Sequence, residues 1–283
     1  MDELVARLRA AGCVFAEDEA RIITEAADGD AARLEELAAA RVDGLPLEHL
    51  VGWAELDGRR WLVVPGVFVP RQRSELLVRE AAVRAADAGS GPVLLVDLCC
   101  GCGALGGAVA ARLLTAGHDV EIHAADVDPA AVTCAHENLK ALCDDDAAAR
   151  GAGALTTHTY AGDLADPLPI EVWGHVDVLV ANAPYVPTTA ISMMPPEARE
   201  HEPHAALDGG DDGLVILRRV IDLAPRLLRP GGHLLIETSE GQVSSAVEHL
   251  EAAGLTATVL SDDDLGATAL AATLPRAEPV ETS

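Results

Sequence analysis

Apolar positions along the chain follow two rhythms. Leu4 to Ala11, Glu17 to Ala27 and Ala31 to Val42 carry them at helical spacing, with Gly12, Asp28-Gly29 and Gly44 as breaks. These segments predict a small helical unit at the amino terminus. Trp53-Ala54-Glu55-Leu56 and Arg60-Trp61-Leu62-Val63-Val64 then flank Asp57-Gly58, the signature of a tight hairpin, which Pro65-Gly66 ends. Phe68-Val69-Pro70-Arg71-Gln72-Arg73-Ser74-Glu75 leads into a helix expected over Ser74 to Ala88, with Ser74 as N-cap, and Gly89-Ser90-Gly91-Pro92 breaks it.

From Val93 the rhythm changes to short, unbroken apolar runs. In Val93 to Leu98 every residue except Asp97 is aliphatic, with no helical period, as in a strand buried on both faces of a parallel sheet. Val120 to Ala125, Thr156 to Tyr160, Val176 to Ala181 and His233 to Glu237 read as the following strands. Between them Ala104 to Leu114, Pro129 to Leu142, Leu214 to Leu228 and Val243 to Ala253 read as helices. Asp144-Asp145-Asp146 through Gly153 reads as a surface loop and Pro230-Gly231-Gly232 as a turn. Thr256 to Ser261 with Thr268 to Thr273 makes a closing hairpin. The alternation predicts an α/β fold with a doubly wound sheet of seven strands, the last antiparallel. The expected divisions are a helical domain over 1–45, a hairpin linker over 46–73 and the sheet domain over 74–283.

Composition narrows the partners. With 20 basic and 46 acidic residues, the 283-residue chain has a net charge of -26, which argues against a partner held through phosphates. Met1 to Ala20 alternates charged and apolar residues and has no signal-peptide core. No window reaches the roughly 18 uninterrupted apolar residues of a membrane helix. A cytoplasmic location with no membrane partner and no direct nucleic-acid partner is expected. The six cysteines, three of them at Cys99, Cys100 and Cys102, read as reduced thiols packed as small hydrophobes. A zinc site from these with Cys134, Cys143, His201 and His204 lacks paired C-x-x-C or H-x-x-x-H spacing, and no metal is expected.

Candidate chemistry gathers at strand ends. Asp97 closes the first sheet strand, and Gly101 and Gly103 let the backbone turn sharply toward a ligand at a helix N-terminus. Asp126, followed by Val127, ends the second strand about 20 residues past a glycine turn, where a ribose diol is held in nucleotide-binding sheets. Asp128, before Pro129, is expected to cap the next helix. Asp163, followed by Leu164, can accept a hydrogen bond from an adenine amino group. The fourth strand ends in Asn182-Ala183-Pro184-Tyr185: a carboxamide, a constrained turn and an aromatic.

Together these segments resemble the class I S-adenosylmethionine-dependent methyltransferases, a Rossmann-like fold. In particular the chain is similar to the HemK/PrmC-like protein-(glutamine-N5) methyltransferases. Gly44-Leu45-Pro46-Leu47-Glu48-His49-Leu50-Val51-Gly52, Val69-Pro70-Arg71 to Ser74-Glu75, Glu202-Pro203, Ala206-Leu207 and Gly209 to Gly213 also resemble that family. Where the family reads D-L-G-T-G-T-G, Cys99, Cys100 and Cys102 surround Gly101 and Gly103; N-P-P-Y appears as N-A-P-Y; and Gln72-Arg73 depart from P-R-P-x-T-E. The resemblance implies S-adenosylmethionine as cofactor, held by Asp97, Cys99, Gly101, Gly103, Asp126, Val127, Asp163, Leu164 and Asn182. It implies a peptide chain release factor as partner, its Gly-Gly-Gln loop glutamine bound by Asn182, Ala183, Pro184 and Tyr185, with Asn182 and Tyr185 catalytic.

Three other readings stay open on the residues alone. Asn-x-Pro-Tyr also serves amino-methyltransferases of nucleic-acid bases or small-molecule amides. Gly101-Cys102-Gly103-Ala104-Leu105-Gly106 matches the dinucleotide string of nicotinamide oxidoreductases. Cys99 in place of glycine permits a non-catalytic binding module.

Overall fold

The computed structural model describes residues 1–85, 91–148 and 153–276. Helices α1 (Asp2–Ala10), α2 (Ala16–Ala27) and α3 (Ala31–Val42) pack with the short α4 (Leu47–Val51) around Leu8, Ile23, Leu37 and Leu47, a cluster separate from those on the main sheet. Asp30 caps α3 by accepting from the backbone of Ala32 and Arg33. The hairpin pairs β1 (Trp53–Leu56) with β2 (Arg59–Leu62) in antiparallel register. Trp53 faces Leu62 as the last pair, so Val63 and Val64 fall beyond the strand.

Residues Gln72–Ser74 form a 3-10 turn, and helix α5 (Glu75–Ala85) starts one residue later than the sequence suggested; 86–90 lie outside the described residues. The main sheet comprises β3 (Val93–Leu98), β4 (Val120–Asp126), β5 (Leu155–Ala161), β6 (Val176–Ala181), β7 (Leu228–Glu237), β8 (Thr256–Asp262) and β9 (Ala267–Thr273). Their order is β5-β4-β3-β6-β7-β9-β8, with β9 antiparallel to both neighbours and β3 through β7 parallel. This is the expected seven-stranded α/β sheet. Helices α6 (Ala104–Thr115) and α7 (Pro129–Ala148) follow β3 and β4. Short α8 (Pro196–His201) and α9 (His204–Leu207) follow β6, then α10 (Val215–Leu227) and α11 (Val243–Ala252).

Strand alternation divides the core. Leu95, Val178 and Val180 face the cluster under α5, α6 and α7, whereas Val96, Leu98, Leu179 and Ala181 face the cluster under α10 and α11. The sheet order reverses on either side of β3, which opens a crevice at the carboxyl ends of β3, β4 and β6.

Two expectations are corrected. Asp144-Asp145-Asp146 belong to α7, which continues to Ala148 because no Gly or Pro interrupts it and Asp145 pairs with Arg59 of β2 at 3.2 Å. Pro230-Gly231-Gly232 lies within β7 as a register irregularity, where pairing jumps from Val176–Leu228 to Val178–His233. Gly231 has φ +83°, and a Cβ on Gly232 would stand 2.6 Å from the Val176 carbonyl oxygen. Among the described residues no helix is long and apolar enough to cross a membrane.

Candidate active site

The turn after β3 runs through alternate left-handed residues: Cys99 at φ 56°, Gly101 at 54° and Gly103 at 76°. Glycine adopts this region freely, whereas Cys99 has a Cβ and its conformation costs roughly 1–2 kcal/mol. The turn is fastened to the end of β4. Gly101 N–H donates to Asp126 Oδ2 at 2.9 Å, Asp128 N–H donates to Asp126 Oδ1 at 2.9 Å, and Cys100 N–H donates to the Ala125 carbonyl at 3.1 Å. Burial holds the Asp126 carboxyl above the usual carboxylate range.

Asp97 lies beneath the turn. Its Oδ2 accepts from Gly106 N–H at 2.9 Å, and a Cβ on Gly106 would stand 2.8 Å from the same oxygen, so glycine is required for the approach. Its Oδ1 is fully buried with no hydrogen-bond partner. Burial pushes the Asp97 carboxyl up to about 7, opposed by the Gly106 amide. Cys100 and Cys102 are buried, Cys99 is half-buried, and burial raises all three thiols above the ordinary range, so they stay protonated and unreactive.

A cavity of about 420 Å³ opens above this turn. Of the residues expected to hold a cofactor, Cys99, Gly101, Asp126, Val127, Asp163, Leu164 and Asn182 line it. Asp97 and Gly103 stand behind the wall: Asp97 is 1% exposed, and a Cβ on Gly103 would stand 2.9 Å from that of Ala135 in α7. Val127 is 65% exposed at the rim. Asp163 Oδ2 is paired with Arg219 Nη2 at 2.7 Å. Asp128 caps α7, accepting from Ala130 N–H at 2.8 Å as expected. Phe68, Ser74, Ile216 and Arg219, to which the sequence assigned no part in the site, also line the cavity.

Asn182 stands where this cavity meets a smaller one lined by Ala183, Pro184 and Tyr185. Its orientation follows from a relay. Ser74 Oγ donates its single proton to Glu237 Oε2 at 2.6 Å, and a carboxylate can only accept. The atom that Ser74 meets on Asn182, at 3.2 Å, must therefore be a donor, which makes it Nδ2. Asn182 Oδ1 is thereby turned away from Ser74, with no protein donor among the described residues. Ser74, expected to be only a helix cap, is a buried member of this relay.

Glu237 ends β7 and is 2% exposed. Its Oε1 accepts from Arg73 Nε at 2.9 Å and from the Tyr185 hydroxyl at 2.8 Å, while Arg73 Nη2 donates to that hydroxyl at 2.5 Å. Burial first, and the Glu237 carboxylate second, raise the Tyr185 phenol well above its ordinary range, so it stays neutral. The backbone of Tyr185 is held too. Gln242 Nε2 donates to its carbonyl at 2.9 Å and to that of Asp212 at 3.0 Å. Gly213, at φ +75°, leaves room for this: a Cβ there would lie 2.3 Å from the Tyr185 oxygen.

Two distant sequence segments meet at the same rim. Arg71 Nη2 donates to both oxygens of Glu202 at 2.6 Å, joining Val69-Pro70-Arg71 to Glu202-Pro203. Asn138 of α7 accepts from Leu62 N–H at 2.7 Å and donates to the Leu62 and Cys102 carbonyls at 2.8 Å, which pins the hairpin to the turn. Among the described residues the side chains that converge at metal-ligand distances are Glu121, His123 and His158; neither His201, His204 nor a cysteine belongs to the group.

Comparison with known proteins places this geometry. The chain is 34% identical over 235 residues to the release factor glutamine methyltransferase of Mycobacterium tuberculosis, a match that spans 82% of this chain and 71% of that protein. The chain belongs to the release factor glutamine methyltransferase family. The family's counterpart from Moorella thermoacetica is 35% identical over 235 residues, covering 83% of this chain and 76% of that one. No protein-family model matches the chain. Among solved structures, the 16S rRNA N2 G1207 methyltransferase of T. thermophilus, determined with AdoMet and guanosine, superposes with a TM-score of 0.51 at 20% identity, over 78% of this chain and 49% of that one. That likeness is one of fold. For a release factor glutamine methyltransferase, the cysteines of the first turn and Ala183 in place of the second residue of N-P-P-Y are departures at the centre of the site.

Proposed function

We propose that this chain transfers a methyl group from S-adenosylmethionine to the side-chain amide nitrogen of a protein glutamine, in the Gly-Gly-Gln loop of a peptide chain release factor. The observation that carries the reading is the Ser74 relay, which turns Asn182 so that its carbonyl oxygen is the atom free to accept. The residues present fit the cofactor. The left-handed turn and the N-terminus of α6 offer backbone N–H groups, Asp126 offers a carboxylate for a diol, and Val127, Leu164 and Ile216 form apolar walls. The orphaned Asp97 Oδ1 is a buried acceptor that a cationic ligand nearby would favour.

The cofactor supplies an electrophilic methyl group on a sulfonium. The protein's task is to make a carboxamide nucleophilic, and this is difficult because the nitrogen lone pair is delocalised into the carbonyl. Acceptors for both N–H groups favour the pyramidal nitrogen that attacks. Asn182 Oδ1 and the Ala183 carbonyl provide them, and no described hydrogen bond ends on either. Tyr185, anchored at its hydroxyl by Arg73 and Glu237 and at its carbonyl by Gln242, holds a fixed surface against the flat amide. Positioning and electrostatics together supply the rate.

The chain's acidity, -26 overall, supports a protein acceptor rather than a phosphate backbone. We assign 1–45 to a helical domain, 46–73 to a linker and the remainder to the catalytic domain, and place the protein in the cytoplasm with its substrate. The test offers radiolabelled S-adenosylmethionine together with a release factor, RNA and DNA. Label on the release factor alone supports the reading; label on nucleic acid overturns the acceptor.

A further inference from the structure

Away from the cavity, strand pairing assembles a group that the sequence spacing conceals. His123 of β4 lies directly opposite His158 of β5, and Glu121, two residues earlier, shares their face of the sheet. His123 Nε2 is 3.1 Å from Glu121 Oε1, His158 Nε2 is 3.7 Å from the same oxygen, and the three ligand atoms lie within 4.8 Å of one another. We propose that Glu121, His123 and His158 form a binding site for one divalent transition-metal ion of the zinc type.

The distances suit that ion. Zinc bonds of about 2.0–2.1 Å in tetrahedral geometry put neighbouring ligand atoms about 3.3–3.4 Å apart, between the two separations seen here. The ligand set is also appropriate: two imidazoles and one carboxylate, with water as the fourth ligand, is a known zinc arrangement. His123 is 2% exposed, so its ring is held in place by the surrounding packing. Its Nδ1 lies 3.0 Å from the Tyr160 hydroxyl, which can accept the ring proton and leave Nε2 for the metal, the outer contact that histidine ligands use. The rings of His123 and His158 stack with centroids 4.6 Å apart, so a small turn of the half-exposed His158 brings both nitrogens to one ion. The side chains of Glu121 and His158 are 43% and 41% exposed, which gives solvent, and hence an ion, access. The net negative charge of the chain draws cations toward it.

The site differs from any assembled from the cysteines, and cobalt distinguishes them. Full-length protein stripped with chelator is titrated with Co(II) alone, read by visible absorption, and with Zn(II) alone, in competition with a chromophoric chelator. The proposal expects one equivalent of either metal, cobalt bands of nitrogen and oxygen ligation, and a melting temperature raised by metal. His158→Ala and Glu121→Gln, which leave buried His123 in place, should each weaken binding by at least about tenfold, and Tyr160→Phe by about tenfold. Absence of binding at micromolar metal, affinity unchanged in both His158→Ala and Glu121→Gln, or sulfur-to-cobalt charge-transfer bands would each overturn it.

Discussion

Asn182 Nδ2 donates to Ser74 Oγ across 3.2 Å, joining the end of β6 to the turn before α5. The bond fixes which face of the carboxamide meets substrate, because the Ser74 proton is already committed to Glu237. Ser74→Ala removes the relay, leaves Glu237 Oε2 short of a donor and frees the Asn182 amide to rotate. A hydrogen bond to a charged group is worth about 1.5–3 kcal/mol, so kcat should fall roughly ten- to a hundredfold. Single-turnover methyl transfer measures this. Calorimetry with S-adenosylmethionine should show a smaller change in Kd than in kcat, and the reverse order would count against the relay.

Glu237 accepts from Ser74, Arg73 and Tyr185 at once. Glu237→Gln replaces one accepting oxygen with an amide NH2 group that faces a donor. Leaving that contact unmade in a buried site costs on the order of 1–3 kcal/mol. The melting temperature should drop by several degrees, and transfer should fall with it as Tyr185 loses its anchor. A variant of unchanged stability and full activity would show that the carboxylate charge is dispensable.

These partners explain what could and could not be read from the chain. Strands such as β3 and β6 were legible because each is a short run of aliphatic residues, broken by a single acid and set between breakers, and β6 matched at both ends. The cavity residues were legible where a polar group closes such a run, as at Asp126 and Asn182. The relay was not, because Ser74 and Glu237 are 163 residues apart and each has a local explanation, as a helix cap and a strand end. Two signals were available: Arg73 departs from the family pattern, and Glu237 is an acid closing the buried run Leu234-Leu235-Ile236. The zinc-type group was hidden for a related reason, since β-sheet register, not sequence spacing, brings His158 beside His123.

Cys99 occupies a left-handed position at φ 56° and lines the cavity. Cys99→Gly removes the Cβ strain but adds freedom to the unfolded chain, so the net gain in stability should be at most about 1 kcal/mol. Binding of S-adenosylmethionine should hold or tighten. Thermal denaturation and calorimetry check both, and a large loss of affinity would mean that the thiol itself contacts the ligand.

Burial raises Asp97 from 3.8 to about 7. A carboxyl raised in the folded state contributes stability that is fully present below the unfolded pKa and is lost as pH rises through the folded one. The ligand-free protein should therefore lose stability from this group between about pH 4 and 7. Asp97→Asn should flatten that slope and match or exceed the parent at pH 8, as read from melting temperatures across the range. A slope unchanged by the substitution would assign the pH dependence to other groups.

Everything at this site serves the transfer of a methyl group to a glutamine amide oriented by Asn182. Peptide mass spectrometry of a release factor incubated with the protein and S-adenosylmethionine tests it most directly, with Asn182→Ala run alongside. One added methyl group is expected on the glutamine of the Gly-Gly-Gln peptide. The variant should nearly abolish that product while still binding S-adenosylmethionine by calorimetry, because the lost contact acts on the amide in the transition state. An unmodified glutamine with the methyl group elsewhere, or full modification by Asn182→Ala, would contradict it.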